Sequence, residues 1–390
     1  MLKRYRERRP THRASGERIT VVYFAKSTSI GPTSRYRIFQ FLPVLKDRGI
    51  ECLVCPLFDE SYWKIIEIPS LFLRVTAKIV YVSGRFLRRA WDVLTIGNVD
   101  LVVIEGQLFP YLPALVERIL ARLRYRIIAE FDDAIYLTPG HRQKIPALLG
   151  MVSGAIVGND VLAQYAINYA SQVYVVPTVV DTQRFVPWQT RAQCGGATEM
   201  PITVVWIGLA CNLGYLDIVA PVLKELQDEG FIKFRVVCSR PPRWPGLTVE
   251  FKVWQLEQEV ELLQDCHIGI MPLPDTEWAR GKCALKLLQY MAVGMATVAS
   301  PVGVNREIIS DGETGYLALT QQDWRDRLAR LCQDAALREQ MGRAARKAVE
   351  NRYSLNVWGP RLAKLYRGIV DDTGSVGIIE ASTRSFTKYG

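Results

Sequence analysis

Short apolar runs alternate along the chain with stretches whose apolar residues recur every three or four positions. Strands of a parallel sheet are buried on both faces and read as continuous apolar runs, whereas the second pattern is typical of helices packed on a core. The alternation therefore predicts an α/β fold with helices on parallel sheets. The predicted strands are RITVVYFA, IECLVCPL, VDLVVIEG, YRIIAEFDD, GAIVGN and QVYVVPT, followed later by ITVVWIG, KFRVVCS, VEFKVW, CHIGIMPL and ATVAS.

The strand pattern divides into two series, which predicts two doubly wound domains. The segment between the series is polar, irregular and rich in glycine, as expected of a linker. A ligand held between two such domains would lie at the carboxyl ends of both sheets. The predicted parts are an acceptor-binding domain at 18–180, a linker at 181–200, a nucleotide-sugar domain at 201–354, a final helix at 355–370 that packs back on the first domain, and a disordered tail at 371–390.

Composition and charge limit the partners. A chain of 390 residues with 49% hydrophobic residues suffices for two cores. The formal charge of +10 favours an acidic partner, such as a nucleotide sugar, an anionic lipid or a nucleic acid. A nucleic acid is the least expected of these and is not predicted as a partner, because no strand carries the aromatic and basic motif of a known single-strand module. The eight cysteines form no disulfide framework, and the CxxC of Cys52 and Cys55 lies in a predicted strand, so we expect reduced thiols and no metal.

The predicted helix within 65–87 bears on the membrane question. Basic residues interrupt this helix, so its apolar run is too short to span a bilayer. The basic N-terminal segment does not have the pattern of a signal peptide. One face of the helix is apolar and another basic. Either the basic face lies on an anionic membrane, or the helix packs on its own domain with its basic side solvated. The apolar face holds Leu71, Val75, Ile79, Val82 and Phe86, and the basic face Arg74, Lys78, Arg85 and Arg89.

The stretch from Lys282 to Ala318 predicts a phosphate site. Apolar residues at helical spacing end at Gly294, the short strand ATVAS follows, and the glycine loop PVGVN leads into another helix. A glycine loop between a strand and a helix offers backbone N–H groups to phosphates. The loop residues expected to bind are Gly303, Val304 and Asn305.

The sequence of this stretch resembles the C-terminal motif of the retaining family-4 glycosyltransferases of GT-B fold, the glycosyl transferases group 1. The resemblance extends from Arg18 to about Val370. It implies transfer of a sugar, with retention, from a nucleotide-diphosphate sugar to a glycan or lipid-linked acceptor, without a metal or other cofactor. It also implies that Gly208 and Asn212 bind the donor.

Two positions depart from the family pattern. The glutamates that ordinarily touch the donor sugar and ribose would fall on Gly281 and Gln289. The amide of Gln289 can still hydrogen-bond a ribose hydroxyl, whereas Gly281 cannot replace a carboxylate.

A basic cluster accompanies the missing acid. Arg280, Lys282 and Lys286 are predicted to share one helix face, where they would neutralise a diphosphate leaving group. The alternative is a solvated basic helix start. A cation at a helix N-terminus is unfavourable unless an anion shares the site, which favours a ligand.

Candidate residues of the first domain follow its strands. Its first loop carries Gly31, Ser34, Arg35 and Arg37, and the arginines are expected to bind an anionic group of donor or acceptor. Carboxylates at strand ends are expected near the reacting centre. They are Glu105, Glu130, Asp132 and Asp133.

Asp132 falls where the family often places a histidine that faces the acceptor. A carboxylate there could accept the acceptor's proton or stabilise an oxocarbenium-like transition state, although Asp is equally suited to cap a helix. The pair Asp132 and Asp133 lacks the DxD spacing of metal-dependent glycosyltransferases, and we predict no metal site.

The predicted function is sugar transfer in cell-envelope or exopolysaccharide assembly, in the cytoplasm or on the inner face of the membrane. The alternative is a GT-B protein that binds nucleotide or glycan without catalysis, because both family glutamates are replaced at Gly281 and Gln289.

Overall fold

The computed structural model describes residues 18–110, 112–123, 125–187 and 200–372. The chain forms two compact units, one of residues 1–177 with 358–390 and the other of residues 178–357. The basic N-terminal segment, most of the predicted linker and nearly all of the predicted tail lie outside the described residues. Residues 181–187 belong to the second unit, where Arg346 donates to the carbonyls of Thr182 and Phe185.

The first unit is built on a six-stranded parallel sheet with the order β2-β1-β3-β4-β5-β6. Its central strands are fully buried apolar runs, as expected of a sheet covered on both faces. The order reverses between β1 and β3, which makes their carboxyl ends the switch point of the sheet. The strands are β1 (Ile19–Ser27), β2 (Ile50–Phe58), β3 (Leu101–Glu105), β4 (Ile127–Phe131), β5 (Gly154–Val157) and β6 (Val173–Val175).

In the described part of this unit, seven α-helices connect these strands, and the chain returns to the unit through its last helix, α15 (Leu355–Asp371). The hydroxyls of Tyr366 and Tyr23 lie 3.0 Å apart, and a side chain at Gly359 would collide with Val44 at 2.4 Å, so α15 packs closely on the sheet and on α2. The connecting helices are α1 (Pro32–Arg37), α2 (Leu42–Asp47), α3 (Glu60–Ile66), α4 (Leu71–Leu94), α5 (Leu115–Arg122), α6 (Lys144–Leu149) and α7 (Asp160–Ala166).

Helix α4 turns part of its predicted basic face toward the sheet, which neither alternative from the sequence expected. Arg89 is buried and donates to the carbonyls of Ala25 and Cys55, and Arg85 pairs with Asp59 at 3.0 Å. Arg85 and Arg89 therefore face the sheet, where their guanidinium groups donate to carbonyls of β1 and β2, whereas Lys78 of the predicted basic face is exposed. Gly84 does not interrupt the 24-residue helix.

The second unit contains another six-stranded parallel sheet, ordered β12-β11-β10-β7-β8-β9. From the other edge this is the 3-2-1-4-5-6 order of the doubly wound fold, with its switch point between β7 and β10. The predicted α/β class with two doubly wound parallel sheets is confirmed, although the sequence did not reveal the two-residue β12. The strands are β7 (Ile202–Ile207), β8 (Ile232–Cys238), β9 (Val249–Val253), β10 (Ile268–Met271), β11 (Ala296–Ala299) and β12 (Tyr316–Leu317).

Helices cover both faces of the second sheet around a core that includes Trp206 and Trp324. A side chain at Gly342 would collide with the carbonyl of Gly294 at 2.1 Å, so the absence of a side chain allows α14 to pack closely on the end of α11. The helices are α8 (Ala220–Asp228), α9 (Glu261–Gln264), α10 (Glu277–Arg280), α11 (Leu285–Ala292), α12 (Asn305–Ile308), α13 (Gln321–Gln333) and α14 (Ala335–Arg352).

Two further observations concern the membrane and the thiols. Within the described ranges, no helix is long and apolar enough to cross a bilayer. Seven of the eight cysteines lie in those ranges, and all seven are free.

Candidate functional site

Helix α11 is fixed to the switch point of the second sheet by Tyr290. The Tyr290 hydroxyl accepts the Ile207 N–H at 3.0 Å and donates to the Ile270 carbonyl at 3.4 Å, which joins the ends of β7 and β10. A side chain at Gly269 would meet the Tyr290 ring at 2.4 Å. The start of α11 is thereby placed where doubly wound folds bind their ligands.

Lys286 lies one turn before Tyr290 and reaches across Gly208, the residue that follows β7. A Cβ at Gly208 would lie 2.7 Å from the Lys286 Cε and 2.7 Å from the Trp206 ring, so this position has room only for glycine. The Lys286 ammonium lies 5.4 Å from the centre of the Trp206 ring, a cation–π distance. The predicted donor residues Gly208 and Lys286 are therefore in contact.

Lys282 also lies among aromatic rings, but not on the helix with Lys286. Its ammonium is 5.9 Å from the Tyr215 ring and 5.8 Å from the Trp278 ring. Helix α10 ends at Arg280 with Gly281 as its C-cap, and Ala284 has left-handed backbone angles (φ 55°, ψ 30°) immediately before α11. The prediction that Arg280, Lys282 and Lys286 share one helix face was therefore wrong, since the backbone changes direction between them.

Arg280 contributes its backbone to the site, while its side chain points to Asp275. Its guanidinium forms two hydrogen bonds with that carboxylate, at 2.6 and 3.1 Å, on the protein surface. A Cβ at Gly303 would lie 2.6 Å from the Arg280 carbonyl oxygen, and Gly303 has a positive φ of 53°. The glycine loop therefore packs directly on the segment that carries the cations.

The rest of the glycine loop is held by its own hydrogen bonds. The Asn305 amide donates to the Ser300 carbonyl at 3.0 Å, and the Ser300 hydroxyl accepts the Leu273 N–H at 3.0 Å. Val304 and Asn305 are buried. The loop thus presents backbone rather than side chains, and α12 after it is a single turn.

Gln289 belongs to a buried polar network that the sequence did not reveal. Its amide donates to Glu259 at 3.1 Å, and Glu259 also accepts from Trp254 and pairs with Arg184 at 3.2 Å. Gln289 thus contacts a carboxylate close to the position from which the family glutamate is missing. Asn212 lies in a 3-10 helix at Ala210–Ile218, after Gly208.

In the first unit, Glu105 lies at the switch point of the sheet. Its Oε2 accepts the Lys26 N–H at 2.9 Å and the Ser34 hydroxyl at 2.7 Å, and its burial raises its pKa. Gly31 packs on Ser27, since a Cβ at Gly31 would lie 1.8 Å from the Ser27 hydroxyl. Glu105 therefore holds the first loop against β1.

Arg35 and Arg37, which the sequence assigned to the first loop, lie on α1, and both side chains make contacts within the first unit. Buried Arg37 pairs with Glu130 at 2.9 Å and donates to the Val176 carbonyl at 2.7 Å. Arg35 is also buried and donates to the Ser29 carbonyl at 3.2 Å. Both guanidinium groups thus stabilise the fold around the loop.

Asp132 and Asp133 follow β4 and are only half-buried. Burial, then the neighbouring carboxylate of Asp133, raises the pKa of Asp132 to about 7, against the opposing effect of Arg37. The next helix, a 3-10 turn at Ile135–Leu137, begins after Ala134 without a side-chain cap, so Asp132 does not cap it. A carboxyl group with a pKa near 7 is suited to exchange protons at neutral pH.

The sequence missed several residues of these two sites. No spacing rule identifies Trp206, Tyr215 and Trp278 as neighbours of the lysines, because they come from three different segments. Ala284 could not be identified either, since alanine rarely adopts left-handed angles. Among the residues that the structure describes, no group of three or more His, Cys, Asp or Glu side chains could hold a metal ion.

Comparison with known proteins gives a family match for part of the second unit and a common fold for most of the chain. Residues 202–334 match the model of the family described as glycosyl transferases group 1. No curated protein matches the chain. Solved structures with the same fold include sucrose-phosphate synthase from Thermosynechococcus elongatus, with 15% identity over 91% of this chain and 100% of that one and a TM-score of 0.65.

Two more structures agree over nearly the whole chain. A glycosyltransferase from Rickettsia africae has 13% identity over 91% of this chain and 99% of its own, with a TM-score of 0.66. HepE from Anabaena, solved in complex with UDP-glucose, has 13% identity over 90% of this chain and 100% of its own, with a TM-score of 0.64. The chain therefore has the GT-B fold of these structures, and its residues 202–334 match the glycosyl transferases group 1 family.

Proposed function

We propose that the chain transfers a sugar, with retention of the anomeric configuration, from a nucleotide-diphosphate sugar to a glycan or lipid-linked acceptor. The observation that carries the proposal is the convergence of Gly208, Lys286 and the Gly303 loop at the switch point of the second sheet. HepE, which has the same fold, binds UDP-glucose. The donor would place its diphosphate beside the Lys282 and Lys286 ammonium groups, which lie near aromatic rings.

The chemistry that we assign to these residues is stabilisation of the leaving group. As the bond between the anomeric carbon and the phosphate oxygen breaks, the diphosphate keeps the electron pair and gains negative charge. The two lysines and the backbone N–H groups of the Gly303 loop can neutralise this charge. Because cationic side chains supply the stabilisation, we propose that turnover needs no divalent metal.

We assign the acceptor side of the reaction to the first unit. The Asp132 carboxylate is the group that we expect near the reacting centre, where it accepts the acceptor's proton or stabilises positive charge at the anomeric carbon. Its raised pKa, close to neutrality, supports the first role. Burial and then Asp133 raise that pKa, and buried Glu105 positions α1 by accepting the Ser34 hydroxyl.

We further propose that the acceptor belongs to cell-envelope or exopolysaccharide assembly and that the chain works in the cytoplasm, on the inner face of the membrane. The net charge of +10 supports an anionic surface as a partner. The free thiols of the described cysteines fit a reducing compartment.

The test is a thermal-shift screen with UDP-, GDP- and dTDP-sugars, followed by calorimetry with the best ligand, because a ligand that binds only the native state raises its melting temperature. Lys282→Glu replaces attraction by repulsion and is expected to weaken binding by roughly 2–5 kcal/mol if the site is desolvated. Lys347→Glu, an equal charge change at an exposed position of α14, is the control. Equal affinities of the two variants would remove Lys282 from the site.

Metal independence is tested separately by turnover with EDTA. The proposal expects full activity in EDTA. Activity that is lost in EDTA and restored by Mg²⁺ or Mn²⁺ would contradict it.

A further inference from the structure

Helix α4 presents its apolar face to the outside of the first unit. Phe72, Val80, Leu87, Trp91 and Leu94 are 78%, 69%, 74%, 62% and 80% exposed. Their spacing follows one line along an α-helix. A helix that packs on its own domain normally buries this line, whereas α4 uses its arginines for the inner contacts and leaves the apolar line uncovered.

Helix α5 extends this apolar surface. Leu115, Ile119 and Leu123 are 62%, 48% and 64% exposed at helical spacing. The crossovers that contain α4 and α5 run in the same direction across the sheet, from β2 to β3 and from β3 to β4, so right-handed connections place both helices on one side. The rings of Phe86 on α4 and Phe109, before α5, pack edge to face with centres 5.3 Å apart.

The concentration of these side chains is specific to this side of the unit. Of the 19 large apolar side chains that are exposed in the described ranges, 13 lie within residues 71–123, and the other six are scattered through both units. Single exposed apolar residues are normal, whereas a cluster of this kind indicates a binding surface. Below, the term apolar face means these exposed residues of α4 and α5; it excludes Val82 and Phe86 of the face predicted from the sequence, which are not exposed.

The exposed charged residues carried by α4 and α5 are all basic. The only acidic residues of the two helices are Asp92, which pairs with Arg88, and Glu117, which lies 3.4 Å from Lys144, and both are buried. The exposed charged residues of the two helices are Lys78, Arg88, Arg118 and Arg122. A second copy of this chain would bring like charges together, whereas an anionic bilayer offers both acyl chains and negative headgroups.

We infer that the apolar face docks on an anionic lipid membrane, with α4 lying in the plane of the interface. Leucine, phenylalanine and tryptophan enter the boundary between headgroups and acyl chains, and the four cations contact headgroup phosphates. The inference specifies the membrane surface that the proposed function includes, and it assigns contact to the apolar side of α4, opposite to the arginine side that the sequence suggested. Its test needs no donor, acceptor or turnover, so it can fail while the proposed sugar transfer stands.

The test is flotation of the full chain with vesicles of phosphatidylcholine alone or mixed with phosphatidylglycerol. The chain is expected to float with the mixed vesicles. Leu87→Ser combined with Trp91→Ser should lower the partition coefficient at least about ten-fold, because two large side chains no longer enter the acyl region. Leu319→Ser, at a position 72% exposed in the second unit, is the matched control and should change nothing.

The charge contribution is tested with Arg118→Gln and Arg122→Gln. Each should weaken partition to the mixed vesicles about five-fold and leave partition to neutral vesicles unchanged. Ile119→Ser on α5 gives a second apolar test should the double variant unfold. Equal flotation of the α4 or α5 variants and the control would overturn the inference. So would self-association of the unchanged chain that these variants abolish without any vesicle binding.

Discussion

At the scale of single residues, Gly208 determines where the Lys286 ammonium lies. The Lys286 side chain passes over this glycine and against the Trp206 ring, so a methyl group at this position would displace one of them. Trp206 is buried in the core and cannot move easily, whereas Lys286 can. Donor binding should therefore respond to this position although Gly208 carries no chemical group.

We predict that Gly208→Ala destabilises the fold by roughly 1–3 kcal/mol and also weakens donor binding, because overpacking strains the core and Lys286 loses its position. Denaturant unfolding and calorimetry measure the two effects. Gly214→Ala is the control, since its Cβ would meet only Asp217 Oδ2, at 4.0 Å. Unchanged donor affinity in the Gly208 variant would separate Lys286 from the donor site.

The raised pKa of Asp132 predicts that the stability of the fold depends on pH. Its pKa is about 7 in the folded chain and about 4 in an unfolded one, so between these values the folded state binds the extra proton. Its contribution to stability is therefore complete below about pH 4 and is lost as the pH rises to about 7. Asp132→Asn should be increasingly more stable than the unchanged chain over this range, as measured by unfolding at several pH values.

The same residue predicts the pH dependence of turnover. If the Asp132 carboxylate accepts a proton, kcat/KM should rise with pH through about 7, and Asp132→Asn should bind the donor normally but lose this rise together with most activity. A variant that keeps full activity and an unchanged pH profile would exclude Asp132 from the reaction.

At the scale of elements, two glycines of the first unit differ in what they allow. A Cβ on Gly31, before α1, would overlap the Ser27 hydroxyl at 1.8 Å, whereas one on Gly84, inside α4, would meet nothing within 4 Å. The first glycine is required by close packing, and the second only weakens its helix.

We therefore expect opposite effects of the same substitution. Gly31→Ala should destabilise the first unit by roughly 1–3 kcal/mol through overpacking, and Gly84→Ala should stabilise it by about 0.5–1 kcal/mol through helix propensity. Urea unfolding measures both. Destabilisation by Gly84→Ala would mean that α4 is not a continuous helix.

Most helices and strands were predictable from the sequence, but the packing of one helix was not. Buried strands form apolar runs in the sequence, so eleven of the twelve strands in the described residues were predicted. The two-residue β12 is too short to form such a run. The face of α4 that packs on the sheet was not predictable, because an amphipathic pattern defines two faces without indicating which one contacts the domain. The outcome depends on carbonyls of β1 and β2, which are remote in sequence and accept from Arg85 and Arg89.

The candidate donor and acceptor sites also contain parts that the sequence predicts and parts that it does not. The glycine loop was predicted because its chemistry is local: a strand, a glycine and a helix in sequence. The role of Arg37 as an internal partner of Glu130 was not, because it depends on a contact between α1 and β4, 93 positions apart. The rings beside Lys282 and Lys286 likewise come together only in the folded chain.

At the scale of the whole molecule, the last helix, α15, returns the chain to the first unit. The last helix contributes buried Leu362, Leu365 and Tyr366 to that unit. A chain that ends after Val357 should therefore lose the thermal transition of the first unit, or show it at least about 10 °C lower, because several buried side chains are removed. A chain that ends after Asp372 is the control. Calorimetric transitions identical to the control would contradict the division into units.

The central claim, that the chain is a retaining sugar transferase whose donor site surrounds Lys286, is tested most directly by time-resolved proton NMR of nucleotide-sugar turnover. We predict that the chain converts a UDP-, GDP- or dTDP-sugar to the nucleoside diphosphate and a sugar product whose first anomeric signal keeps the donor's configuration. Lys286→Met should slow this conversion by at least about ten-fold, because the leaving group loses a cation. Inversion of the anomeric signal, or a bound donor that is never consumed, would contradict the account.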